Sequence, residues 1–307
     1  MKLSTADSFK HIKSAEIIEL SDANLVKLQS VLRNMLSDID LACRKAGSNY
    51  ILGGGTCLGA VRHKGFIPWD DDIDINMSRN DFPDFVKKIK ELFPGKYTIQ
   101  IPGITEGYDL AFPRIRLNGT VVRSREDLGK PDSECGAYVD IFYIENAPDQ
   151  AITRALHGVV SMFFGLCYSC RRFSAYSNQY IALAGDNFEL QAIFKRKARL
   201  GKLLSFLTPQ GWTKVWDKWN SLSHNSDSSY VVIPVGRKHY FGETYRRNSL
   251  FPPNHADFDG LDVPIPHVVE NYLCNLYGPD FMTPPSKGSE EVHVVYQFDL
   301  ENYENRE

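Results

Sequence analysis

The stretch GGGTCLGAVRHKGFIPWDDDIDINM, residues 53–77, restricts the possible folds of this chain more than any other. Three glycines follow the apolar Tyr50-Ile51-Leu52, and Asp70, Asp71, Asp72 and Asp74 then crowd into a run that alternates with Ile73, Ile75 and Met77. Crowded carboxylates repel, and drawing them toward a core costs hydration, so they need solvent, cationic side chains or a metal. The alternation predicts a half-buried strand, and Asp70, Asp72 and Asp74 share one face if the strand begins that early. Carboxylates two residues apart on a strand lie roughly 7 Å apart at Cα, close enough for their side chains to converge on one hard cation or a close pair. A solvated acidic turn is the plain alternative, but the isoleucines and Trp69 argue that the run abuts the core. A calcium loop of the EF-hand type fails, because its glycine and glutamate positions, counted from Asp70, hold Ile75 and Asp81.

Upstream, residues 50–52 read as a short buried strand, Gly53 to Gly55 as a turn, and Thr56 to His63 as a helix. Unpaired amides at such a helix start, approached closely over glycine, suit an anion such as phosphate. The same turn also occurs without any ligand.

The chain of 307 residues, 43% hydrophobic and 24% charged, can bury a substantial core. Its net charge of -3 argues against a nucleic-acid partner. The opening MKLSTADSFKHIKSAEIIEL lacks the layout of a secretory signal, so a cytoplasmic location is expected. Cys43, Cys57, Cys135, Cys167, Cys170 and Cys274 are scattered and mostly lie in apolar periodic segments. The Cys167-x-x-Cys170 pair has no second pair to complete a zinc site and reads as core packing.

Ser21 is placed to cap a helix that runs to Lys45 and ends at Gly47; Ser78 is placed to cap a second that ends near Pro94-Gly95. Strands are predicted at 97–101, 111–117 and 120–123, and from Ala137 to Ile144 in GAYVDIFYIENAP. Asp140 stands in the middle of that last apolar strand, so it is either salt-bridged in the core or a third member of the acidic site. No basic residue within the strand pairs with it, so replacing it with Asn is expected to leave the melting temperature unchanged or raised in metal-free buffer. Helical patterns follow at 155–170, 190–207 and 212–222. The apolar run at 158–168 is too short to span a bilayer and is closed by Arg171-Arg172. It reads as a buried helix, with peripheral membrane contact as the alternative, given Lys195, Arg196, Lys197 and Arg199. Strand and turn return at 230–236 and 258–266, before a helix in VVENYLCNLYG and a frayed end, ENYENRE. No repeat or linker divides residues 1–307, which read as one α/β unit with a helical insertion at about 150–225.

The block GGGTCLGAVRHKGFIPWDDDIDI resembles the signature of the LicD family, which includes bacterial choline-phosphotransferases and fukutin-type polyol-phosphate transferases. RIRLNGT at 114–120, GAYVDIF at 136–142, FDGLDVPIP and YLCNLYGPDFMTPP match in the same order. The resemblance implies a nucleotidyltransferase-like α/β (α+β) fold, a mixed sheet flanked by helices. It also implies transfer of a phospho-alcohol, phosphocholine foremost, from a CDP-linked donor to a sugar hydroxyl. The acceptor would be a glycan, a lipid-linked glycan or a teichoic-acid precursor, with ribitol or glycerol phosphate as alternative cargo. A location at the inner face of the membrane fits such an acceptor. On this reading Asp72, Asp74 and Asp140 are catalytic and hold magnesium or manganese. Gly54, Gly55, Thr56, Arg62, His63, Lys64, Trp69, Arg114 and Arg116 are expected to bind substrate. A non-catalytic nucleotide- or metal-binding module is the competing reading.

Overall fold

Alternation on the central strands decides the layering. In a computed structural model that describes residues 18, 20–185, 187–286 and 295–300, the chain opens with α1 (Asp22–Ala46), β1 (Tyr50–Leu52), α2 (Gly54–His63), β2 (Asp74–Ser78) and α3 (Phe82–Leu92). Strands β3 (Tyr97–Gln100), β4 (Arg114–Leu117), β5 (Val121–Ser124) and β6 (Tyr138–Ala147) follow. Four helices come next, α4 (Ala151–Ala175), α5 (Ser177–Leu183), α6 (Phe188–Leu203) and α7 (Pro209–Asn220). The remainder comprises β7 (Tyr230–Val232), α8 (His239–Gly242), β8 (Thr244–Arg246), α9 (Arg247–Leu250), β9 (Asn254–Phe258), β10 (Leu261–Ile265), α10 (Val269–Tyr277) and β11 (Val295–Asp299).

The main sheet is mixed, ordered β1-β2-β6-β4-β3, with β7 and β8 continuing from the far end of β6. β2 and β6 run parallel, and β1 and β4 flank them antiparallel. Residues in register share a face. Ile75, Met77, Ile115, Val139 and Ile141 therefore form one apolar face, buried in a single core with Leu32, Leu36 and Ile39 of α1 and Phe85 and Ile89 of α3. The opposite face carries Asp74, Asn76, Tyr138, Asp140, Arg114 and Arg116, and is the polar one.

The helix at 22–46 follows its sequence signals: Ser21 accepts from the Asn24 amide, and Gly47 closes it at φ 69°. Three expectations need correction. The acidic strand starts at Asp74, because the Asp70 amide bonds to the Ile67 carbonyl at 2.9 Å and curls the chain into a turn first. Asp70 and Asp72 therefore precede the strand instead of sharing its face. Ser78 is the last residue of β2, and α3 starts after Asp81. The apolar run at 158–168 lies inside a helix of 25 residues, which by length and composition alone is long enough to cross a membrane. Cys167 and Cys170 are buried free thiols within it, and Cys274 is exposed. The first 17 residues and ENYENRE lie outside the described residues.

Candidate functional site

The glycine turn and the acidic run are laced together through the backbone. The Gly53 amide donates to the Asp74 carbonyl at 2.9 Å, and the Asp74 amide donates to the Thr56 hydroxyl at 2.8 Å. Thr56 is thus occupied in holding the start of β2. Gly54 sits at φ 39°, a left-handed conformation that favours glycine. A Cβ at Gly54 would lie 3.0 Å from Asp74 Oδ2, and one at Gly55 would lie 2.9 Å from Asp70 Oδ2. The missing side chains let the start of α2 press directly against carboxylates.

The first amides of a helix have no intrahelical acceptor. That of Gly54 donates to the Tyr272 hydroxyl at 3.1 Å, which also accepts from Asn76 Nδ2 at 3.0 Å. The expected phosphate cradle is therefore narrower than the sequence suggests: Gly55 and Thr56 remain as the helix-start donors. Tyr272 is a positioning residue the sequence reading missed. Its only signal was its place in the YLCNLYGPDF block.

Asp70, Asp71 and Asp72 are part-exposed and each turns a carboxylate oxygen to within 4.8 Å of the others. Asp74 lies next in the chain, in register with Asp140 across the parallel pair, at a Cα separation of about 4.8 Å. A set made only of carboxylate oxygens fits a hard divalent cation. The structure thus brings Asp71, which the sequence reading left off the shared acidic face, beside Asp70 and Asp72.

Asp140 is deeper, 6% exposed, and both its oxygens are engaged. Arg114, opposite it on β4, donates from Nε at 2.6 Å and from Nη2 at 2.8 Å. The basic partner missing from its own strand comes from the neighbouring one, which reverses the stability expectation for Asp140→Asn. Burial works against the Arg114 charge, but the field and hydrogen bonds of Asp140, with the fields of Tyr138 and Asp127, together outweigh it and raise the guanidinium further above its ordinary range. Arg114 lies 3.6 Å over the Tyr138 ring, and its Nη1 approaches Asp127 at 3.8 Å. Burial raises the Tyr138 phenol well above its ordinary range; Arg114 opposes this, and Asp140, Asp71 and Asp72 add to it. Tyr138 therefore lies within the fields of both the buried pair and the acidic turn.

Arg116 is 2% exposed and bound by Asp127, Gln100 and the Gly136 carbonyl. Arg114 and Arg116 are thus built into the polar face, away from solvent, where the sequence placed them as phosphate ligands. Arg62, in the last turn of α2, sets Nε on His63 at 2.9 Å and Nη1 on the Phe281 carbonyl at 2.9 Å. Burial lowers its pKa, against the fields of Tyr277 and Asp70. Burial and then the Arg62 charge also lower that of His63, which disfavours the protonated imidazole. Lys64 is exposed in the left-handed cap, and Trp69 packs against the core. A cleft of about 670 Å³ at the other end of β2, lined by Ser78, Asp81, Ser228, Arg246 and Phe251, holds none of Asp70 to Asp74.

Residues 47–123, which contain the glycine turn, the acidic run and Arg114, match the family described as LicD/FKTN/FKRP, nucleotidyltransferase domain. The chain is 24% identical over 284 residues to a lipopolysaccharide cholinephosphotransferase of Haemophilus influenzae, covering 87% of this chain and 94% of that protein. It is also 34% identical over 84 residues to an uncharacterized protein of Rickettsia typhi, covering 24% of this chain and 27% of that protein.

Proposed function

We propose that this chain, whose residues 47–123 match the LicD family domain, transfers phosphocholine from CDP-choline to a sugar hydroxyl of a glycan. The observation that carries this reading is the contact of a glycine-started helix with two part-exposed aspartates, Asp70 of the acidic turn and Asp74 at the start of β2, in a chain resembling a cholinephosphotransferase over 87% of its length. In the reaction the acceptor oxygen bonds to the phosphorus that carries choline, the bond from that phosphorus to the bridging oxygen breaks, and CMP leaves with that oxygen.

Each residue then has a task. The amides of Gly55 and Thr56 orient a donor phosphate at the helix start. Asp70, Asp71, Asp72 and Asp74 would hold magnesium or manganese, with Asp140 behind them; when bound, the metal would neutralise the donor diphosphate and the charge on departing CMP. Tyr272 keeps the glycine turn in register with β2 through Gly54 and Asn76. Arg114 fixes the Asp140 carboxylate, so an acceptor proton is taken by one of the part-exposed aspartates.

The test is CMP release from CDP-choline, CDP-ribitol and CDP-glycerol with glycan acceptors, with and without magnesium. Release from CDP-choline alone supports the reading, release from a CDP-polyol alone moves the cargo to polyol phosphate, and release from none of them refutes it.

A further inference from the structure

α4 is buried on one side only. His157 and Ser161 face inward, with the imidazole against the Trp219 carbonyl at 2.9 Å and the Ser161 hydroxyl donating to Asn220 Oδ1 at 2.6 Å. On the other side Ile152, Leu156, Val159, Phe163 and Leu166, spaced at helical intervals, are between 40% and 77% exposed. Only 22% of the helix's most apolar window is buried. The stripe continues across to the end of α6, where Leu203 and Phe206 are exposed and Phe206 meets Trp212, which in turn meets Phe164.

Charge identifies what covers it. α4 contains no carboxylate, and α6 exposes Lys195, Arg196, Arg199 and Lys202 against Glu189 alone, Lys197 being buried, in a chain whose net charge is -3. Arg196, Arg199, Leu200 and Leu203 recur at three- and four-residue intervals, so cationic and apolar groups share one exposed face. A second copy would set this basic face against itself, whereas an anionic bilayer satisfies both halves: headgroups meet the cations and acyl chains take the phenylalanine and leucines. We propose that this face of α4 and α6 lies flat on a membrane surface bearing anionic phospholipids. The hydrogen-bonded inner face of α4 rules out insertion across the bilayer while this fold is kept. Tyr168 of α4 also donates to the Asp109 carbonyl at 2.9 Å, in the loop next to Arg114, so the membrane face is tied to the polar face of the sheet.

The test is co-sedimentation of the full chain with vesicles of phosphatidylcholine alone, and of three parts phosphatidylcholine to one part phosphatidylglycerol. Binding to the anionic vesicles, released by salt, is expected. Arg196→Gln with Arg199→Gln should weaken it roughly thirtyfold, about fivefold for each charge near the surface. Leu156→Gln with Phe163→Gln should weaken it about a hundredfold, from lost apolar burial. All four side chains are exposed, so both variants should melt near the wild-type temperature. Failure to bind anionic vesicles, binding indifferent to salt and lipid charge, or binding unchanged in both variants overturns the proposal. So does a dimer in sedimentation analysis that the Leu156→Gln, Phe163→Gln variant dissociates, since the face would then cover a second copy.

Discussion

Asp140→Asn isolates the role of the buried pair. The variant keeps one acceptor for Arg114 but removes the charge and the second oxygen, leaving a guanidinium that is 3% exposed with Asp127, at 3.8 Å, as its remaining carboxylate. Breaking a buried pair from one side costs about 3–5 kcal/mol. The field of Asp127 and the relief of repulsion with Asp74 place this case at the lower end, about 3 kcal/mol. Unfolding entropy of about 2.1 cal/mol/K per residue over 307 residues amounts to about 0.6 kcal/mol/K, so Tm should fall by about 5 °C. The assay is differential scanning calorimetry in metal-free buffer. Arg114→Met with Asp140→Leu, which removes both charges, should recover most of the loss because no unpaired ion remains. A single variant that melts at or above wild type would refute the argument: the carboxylate would then be held against its acidic neighbours instead of stabilised by Arg114.

Asp72→Asn and Asp74→Asn should each lower CMP release about a hundredfold or more and weaken manganese binding measured by electron paramagnetic resonance, with Tm nearly unchanged. Tyr272→Phe leaves the Gly54 amide and Asn76 without their acceptor, and should cost about 1–3 kcal/mol in denaturant unfolding. Glu243, 2% exposed, is raised by burial to about 7, so the stability it contributes is full below about pH 4.5 and is lost as pH rises through 7. That loss is about 3 kcal/mol, and Glu243→Gln should remove this part of the pH dependence in urea titrations at pH 5 and pH 8.

Local signals were legible in the chain itself. The Ser21 and Gly47 caps bound α1 because capping depends on residues a few positions apart, and the β2 alternation placed Asp74 on the face opposite Ile75 and Met77 because strand geometry has period two, whereas Asp140, in an apolar run, was left between a core salt bridge and the acidic site. The glycine turn and the acidic run were readable for the same reason. What the sequence could not decide were pairings between distant segments. Whether Asp140 had a cationic partner depended on β4 lying against β6 in the register that sets Arg114 opposite it. Whether the Gly54 amide was open to a ligand depended on α10, more than two hundred residues away, delivering the Tyr272 hydroxyl to it. The start of the acidic strand depended on a turn hydrogen bond from Asp70 to Ile67 that no periodicity encodes. Short-range sterics and hydrogen bonding write themselves into residue spacing, whereas long-range contacts exist only once the chain has folded back on itself, and in this protein those contacts set which carboxylates and which amides remain for chemistry.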